Sequence, residues 1–79
     1  MDLSRDERQA KLRTLAEVEG FATVTDLVEA ASLDSVSPGI CTAEGCDYTA
    51  EVEPDQDRGW CEECREGTVR SALVLAELV

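Results

Sequence analysis

The sequence predicts a small α+β domain: an N-terminal helical hairpin, a β-hairpin bracketed by two cysteine pairs, and a C-terminal helix. Three observations predict it. Apolar residues recur at three-and-four spacing before residue 32 and again after residue 68. Between these stretches, residues 47–53 alternate apolar and polar side chains. All four cysteines of the 79-residue chain fall within residues 41–64. A chain this short buries only roughly 60% of its unfolded surface, so its apolar core is thin. Domains of this size commonly need a staple, and clustered thiols are candidates for one.

Taken in order, residues 3–19 read as the first helix. Ser4 can cap it, with Glu7 three residues on, the capping-box pattern. Leu12, Leu15, Ala16 and Glu19 share one face, Val18 flanks them, and Gly20 stops the helix. Arg5, Arg8, Lys11 and Arg13 carry all the positive charge of the first forty residues, and they read as a solvated face. Residues 21–32, "FATVTDLVEAAS", read as a second helix capped by Thr23. Val24, Leu27, Val28 and Ala31 form its apolar side, and Phe21 plugs the turn. The pair resembles a helix-turn-helix in outline. Its second helix, however, bears Asp26 and Glu29 and no base-reading Arg, Lys, Asn or Gln. Residues 32–39 read as a linker, with Pro38-Gly39 as a turn before the first cysteine.

The domain organisation expected is therefore a helical hairpin over 1–37 packed on a cysteine module over 38–79. In the module, residues 47–53 form a strand with Tyr48, Ala50 and Val52 on one face. Residues 54–59 turn the chain, and Trp60 opens the return strand into Cys61. "TVRSALVLAELV", residues 68–79, reads as a helix capped by Thr68. Val69, Ala72, Leu73, Ala76 and Val79 lie on one face, and Val74, Leu75 and Leu78 add to the rest. A strand is the alternative there. So apolar a segment must be sandwiched or shared, which makes a homodimer through 68–79 an alternative to a monomer.

The cysteine pattern is C-x4-C, fourteen residues, then C-x2-C, at Cys41, Cys46, Cys61 and Cys64. Two close pairs joined by a hairpin-length spacer can wrap four sulfurs around one tetrahedral ion at about 2.3 Å, the arrangement of a structural zinc site. There is no histidine, so such a site would use all four cysteines. Two disulfides, a redox dithiol at Cys61 and Cys64, and a rubredoxin-like iron site are the other readings. The first residues lack the apolar stretch of a secretory signal, no run is long enough to span a bilayer, and a cytoplasmic compartment is expected. Thiols stay reduced there, which favours metal over disulfides. Glu62 and Glu63 between the second pair disfavour the thiolate a redox site needs. Gly45 and Gly67 suit sharply bent backbone beside a metal. Asp55 and Asp57 in the turn are too few ligands for calcium.

"SPGIC", "GCDYTAEVEPDQDRGWCEEC" and "TVRSALVLA" resemble small, functionally uncharacterised bacterial proteins of the zinc-ribbon type, four-cysteine and zinc-finger-like. The span from Gly39 to Cys64 with its tail is similar to a zinc ribbon or treble clef. The resemblance covers about the C-terminal half. It implies one zinc ion on Cys41, Cys46, Cys61 and Cys64, and no activity. The chain departs from common ribbons in its C-x4-C loop, and in Asp47 and Arg65 where glycine often follows a cysteine pair.

Charge bears on partners. The chain carries 18 acidic and 7 basic residues, net −11. Eight carboxylates and one arginine lie between residues 39 and 64. Such a field repels phosphate backbones and attracts basic surfaces. There is no histidine base and no open coordination position, so no enzyme is expected. The function expected is a protein-interaction or regulatory module with structural zinc and a basic protein partner. A nucleic-acid-binding regulator of transcription or translation is the alternative, and an acidic mimic of nucleic acid is a third. Tyr48, Trp60, Asp55, Asp57, Glu62 and Glu63 are the candidate partner-binding residues. Packing over the metal is the competing role for Tyr48 and Trp60, and a solvated turn is that for Asp55 and Asp57.

Overall fold

A computed structural model describes residues 3–78. Helix α1 spans Arg5–Glu19, and its capping box forms as expected: the Ser4 hydroxyl accepts from the Glu7 N–H at 3.2 Å while the Glu7 carboxylate accepts from the Ser4 N–H at 2.9 Å. Those two bonds satisfy N–H groups that no helical turn precedes. Gly20 closes the helix, and the Phe21 N–H returns to the Ala16 carbonyl at 2.8 Å. Helix α2 spans Val24–Ser32 behind its Thr23 cap. Leu12, Leu15 and Ala16 of α1 meet Leu27 and Ala31 of α2 in the buried core, with Phe21 packed against them.

The next segment is a strand where a linker and turn were expected. Strand β1 runs Ser37–Cys41, so Pro38 and Gly39 lie inside it. It is followed by β2 (Thr49–Val52), β3 (Gly59–Cys61) and β4 (Glu66–Ser71). The sheet is antiparallel in the order β2-β1-β4-β3. Proline is tolerated for a local reason. The Cys41 N–H bonds the Tyr48 carbonyl at 2.8 Å, and alternation along an antiparallel ladder then turns position 38 away from β2. On that side the pairing with β4 ends at Gly39 opposite Ser71, so proline's missing N–H breaks no ladder bond.

The expected hairpin between residues 47–53 and Trp60 does not form. The two strands are opposite edges of the sheet. Each pairs instead with a strand beyond its own cysteine loop, β2 with β1 and β3 with β4. The stretch between β2 and β3 crosses past the end of β4, where the Ser71 hydroxyl donates to the Pro54 carbonyl at 2.6 Å and the Ser71 N–H donates to the Gln56 carbonyl at 2.9 Å.

The expected helix over 68–79 is mostly replaced too. The chain stays extended through Ser71, and α3 is the single turn Ala72–Leu75. Its cap is Ser71, whose hydroxyl accepts from the Val74 N–H at 3.1 Å, and not Thr68. Val69, Ala72, Leu73 and Leu75 are buried within this chain, whereas Leu78 is exposed. Val79 lies outside the described residues.

Strand β1 joins two apolar clusters. Ile40 enters the helical core with Ala72, Leu73 and Leu75. Its neighbour Cys41 enters a second cluster with Cys61 and Val69. Consecutive strand residues point to opposite faces, so one strand serves both. This crowding leaves Gly39 no room for a side chain. A Cβ there would stand 2.8 Å from Val52 Cγ2 and 3.0 Å from the Arg70 carbonyl oxygen. Gly39→Ala should destabilise the fold by about 1–3 kcal/mol, the usual cost of overpacking. A thermal melt followed by circular dichroism would show it as a lowered Tm.

Candidate metal centre

The two hairpins place their loops at the same end of the sheet. Cys41 ends β1 and Cys46 lies in the loop before β2. Cys61 ends β3 and Cys64 lies in the loop before β4. The central pair β1–β4 holds the loops together, extended by the Thr42 N–H and hydroxyl, which donate to the Thr68 carbonyl at 2.8 and 2.7 Å. Each loop is folded around its first sulfur. The Ala43 N–H points to Cys41 Sγ at 3.4 Å, and the Cys64 N–H to Cys61 Sγ at 3.3 Å. In the first loop Gly45 adopts φ 80° just before Cys46, a left-handed conformation that glycine takes without strain. In the second, Arg65 takes φ 56° just after Cys64. That is where the resemblance leads one to look for glycine, and arginine bears the steric cost instead.

The four Sγ atoms lie within 4.8 Å of one another. Cys41 and Cys64 are 3.8 Å apart, as are Cys46 and Cys61. A tetrahedron with metal–sulfur bonds of about 2.3 Å has edges of about 3.8 Å. A disulfide would need about 2.05 Å, and all four cysteines are free thiols. The donor set therefore fits one ion held by four sulfurs, consistent with zinc.

Thiol electrostatics fit the same conclusion. Burial pushes the Cys41 thiol up, but hydrogen bonds from the Thr68 hydroxyl, the Ala43 N–H and neighbouring thiols outweigh it and lower it to about 7. Cys64 is pushed up to about 12, first by its hydrogen bonds to Cys46 and Cys41, then by burial and by charge on Cys41. Four thiols this close cannot all ionise without a compensating charge, and a divalent cation supplies one.

Sequence reasoning missed Lys11. It was assigned to a solvated face, but its side chain is only 12% exposed. Its ammonium donates to the carbonyls of Ala43 and Cys46 at 3.1 and 2.5 Å, and to Asp47 Oδ1 at 3.2 Å. Helix α1 thus clamps the first cysteine loop from outside through its backbone carbonyls and Asp47. Arg8 is likewise engaged, donating to the Val74 carbonyl at 3.2 Å and pairing with Glu77 at 3.5 Å. Only Arg5 and Arg13 of that set are exposed. The signal was position: Lys11 directly precedes Leu12 at the edge of the buried stripe.

The other candidate residues separate. Tyr48 packs partly buried against the cysteine cluster. Burial raises its pKa, and the charges of Glu62, Cys61 and Glu63 add to the shift. Trp60 is 60% exposed. Glu62 and Glu63 are exposed in the second loop, and Asp55 and Asp57 in the crossing between β2 and β3. No described helix is long and apolar enough to cross a membrane.

No known protein family matches the chain, and neither does any curated protein or solved structure it was compared with.

Three outcomes are expected. Lys11→Met should weaken metal binding about 10- to 100-fold, as loss of groups supporting ligands does. Competition with a chromogenic chelator would measure this, and Arg13→Met should leave the value unchanged. Arg65→Gly should stabilise the loaded protein by about 1 kcal/mol, since it relieves a left-handed non-glycine residue, read from denaturant midpoints. Metal uptake must displace the proton held on Cys64, so affinity should rise with pH through the neutral range. The same competition assay repeated across pH checks that sign.

Proposed function

We propose that the chain is a non-enzymatic protein-binding module of zinc-ribbon type, held by one structural zinc ion on Cys41, Cys46, Cys61 and Cys64. The observation that carries this reading is the closed set of four sulfurs, all within 4.8 Å of one another and two pairs of them 3.8 Å apart. Four thiolates fill a tetrahedron, so no position is left for an activated water. The sequence contains no histidine to act as base. The ribbon assignment is supported by a cysteine pair on each of two hairpins, and α3 is a single turn where a treble clef would have a full helix. Zinc, when bound, supplies charge and crosslinking and no chemistry.

The partner we propose is a protein with a basic surface. A net charge of −11 steers such a partner in. The zinc tetrathiolate adds further negative charge. Arg8 and Lys11, two of the four basic residues of the first forty, are spent inside the fold. The contact belongs on the acidic surface and not on the apolar C-terminal segment, where Val69, Ala72, Leu73 and Leu75 serve this chain's own core. A reducing compartment such as the cytoplasm suits free thiols.

Native mass spectrometry should find the chain plus one zinc ion. Labelled DNA and RNA titrated at low salt, where phosphate attraction is greatest, should show no binding. Binding that weakens steeply with added salt would replace this reading by the nucleic-acid one.

A further inference from the structure

A groove away from the cysteines carries a more specific partner chemistry. It has a volume of about 120 Å³ and opens where the α1–α2 turn and α2 meet the start of β1. Phe21, Leu27, Ala31 and Pro38 contribute its apolar lining, Leu27 and Ala31 from within the core, with Val36 at the edge and 40% exposed. The volume approaches that of the roughly 150 Å³ apolar cavity known to admit a benzene-sized guest, so one aliphatic side chain fits.

The rim has a single sign. Glu19 at the end of α1, Asp34 after α2 and Glu51 on edge strand β2 surround this lining, and no lysine or arginine joins it. All three are exposed. Among the described residues none of them forms an ion pair. Asp34 accepts only from the neighbouring Ser35 N–H, at 2.9 Å. Three like charges around this lining repel one another until something positive settles between them. A second copy brings −11 of the same sign, and a nucleic acid brings phosphates. Neither complements this rim. A peptide segment with an aliphatic side chain between lysines or arginines complements both rim and lining.

We propose that this groove is the docking site for one aliphatic side chain, flanked by basic residues, from a partner protein. The proposal rests on the reading of the chain as an acidic protein-binding module. It places the contact here and not at Trp60, Glu62 and Glu63.

The test uses the zinc-loaded, 15N-labelled protein at low salt with two synthetic peptides, Lys-Lys-Leu-Lys-Lys and Lys-Lys-Ala-Lys-Lys. The leucine peptide should shift the amide signals of Phe21, Ala31 and Val36, and the alanine peptide should bind about tenfold more weakly, since the buried side chain is largely gone. Asp34→Lys combined with Glu51→Lys should abolish binding, while Glu62→Lys combined with Glu63→Lys should leave it within twofold. Equal binding of both peptides, or loss only in the Glu62/Glu63 variant, would overturn the groove and leave the acidic-module reading standing. No binding of either peptide would overturn both.

Discussion

Four sulfur atoms converge on one point at the end of the sheet, and most of the molecule is arranged around that convergence. They come from two hairpins whose loops share few other bonds. The central β1–β4 pair and the Thr42–Thr68 contacts bring the loops side by side, yet the sulfurs themselves are crowded like charges. Without a cation the geometry works against itself, since the neighbouring thiols that lower the Cys41 thiol raise that of Cys64. With one, the same crowding becomes four short bonds. An ion bound there would give a chain with a thin core the crosslink it cannot get from apolar burial alone.

The influence of the site reaches the helices through two routes. One is β1, where Ile40 packs into the helical core while Cys41 lines the sulfur cluster. The other is Lys11, which bridges α1 to the carbonyls of the first cysteine loop. The helical hairpin and the metal-binding hairpins are therefore mechanically one unit.

Much of this was legible in the sequence, for identifiable reasons. Ser4 with Glu7, Gly20 and Thr23 are local devices whose action depends only on near neighbours, so α1 and α2 appear where their caps put them. The cysteine spacing carries the donor set because each pair is also local. What failed was pairing at a distance. Nothing in residues 47–61 says that β2 and β3 seek different partners, because β1, one of the two strands between them, contains a proline-glycine pair that looks like a turn. Pro38 is admissible there only because β4 leaves the sheet opposite Gly39. Residues 68–71 read as helix because they lead into a Val- and Leu-rich run that fits either period. Their extended form is decided by pairing with β1 and β3, and the helix waits for the Ser71 cap. Lys11 was misread because charge argues for solvent and the carbonyls it meets lie more than thirty residues away.

If the ion is the crosslink, folding and metal occupancy are one equilibrium. The most direct test is a 15N–1H correlation spectrum of the zinc-loaded protein before and after zinc is stripped by a chelator under reducing conditions. The account predicts that dispersed signals from residues 37–71 collapse together with those of α1, and return on adding zinc. A spectrum that keeps its dispersion after the metal is shown to be gone would contradict it.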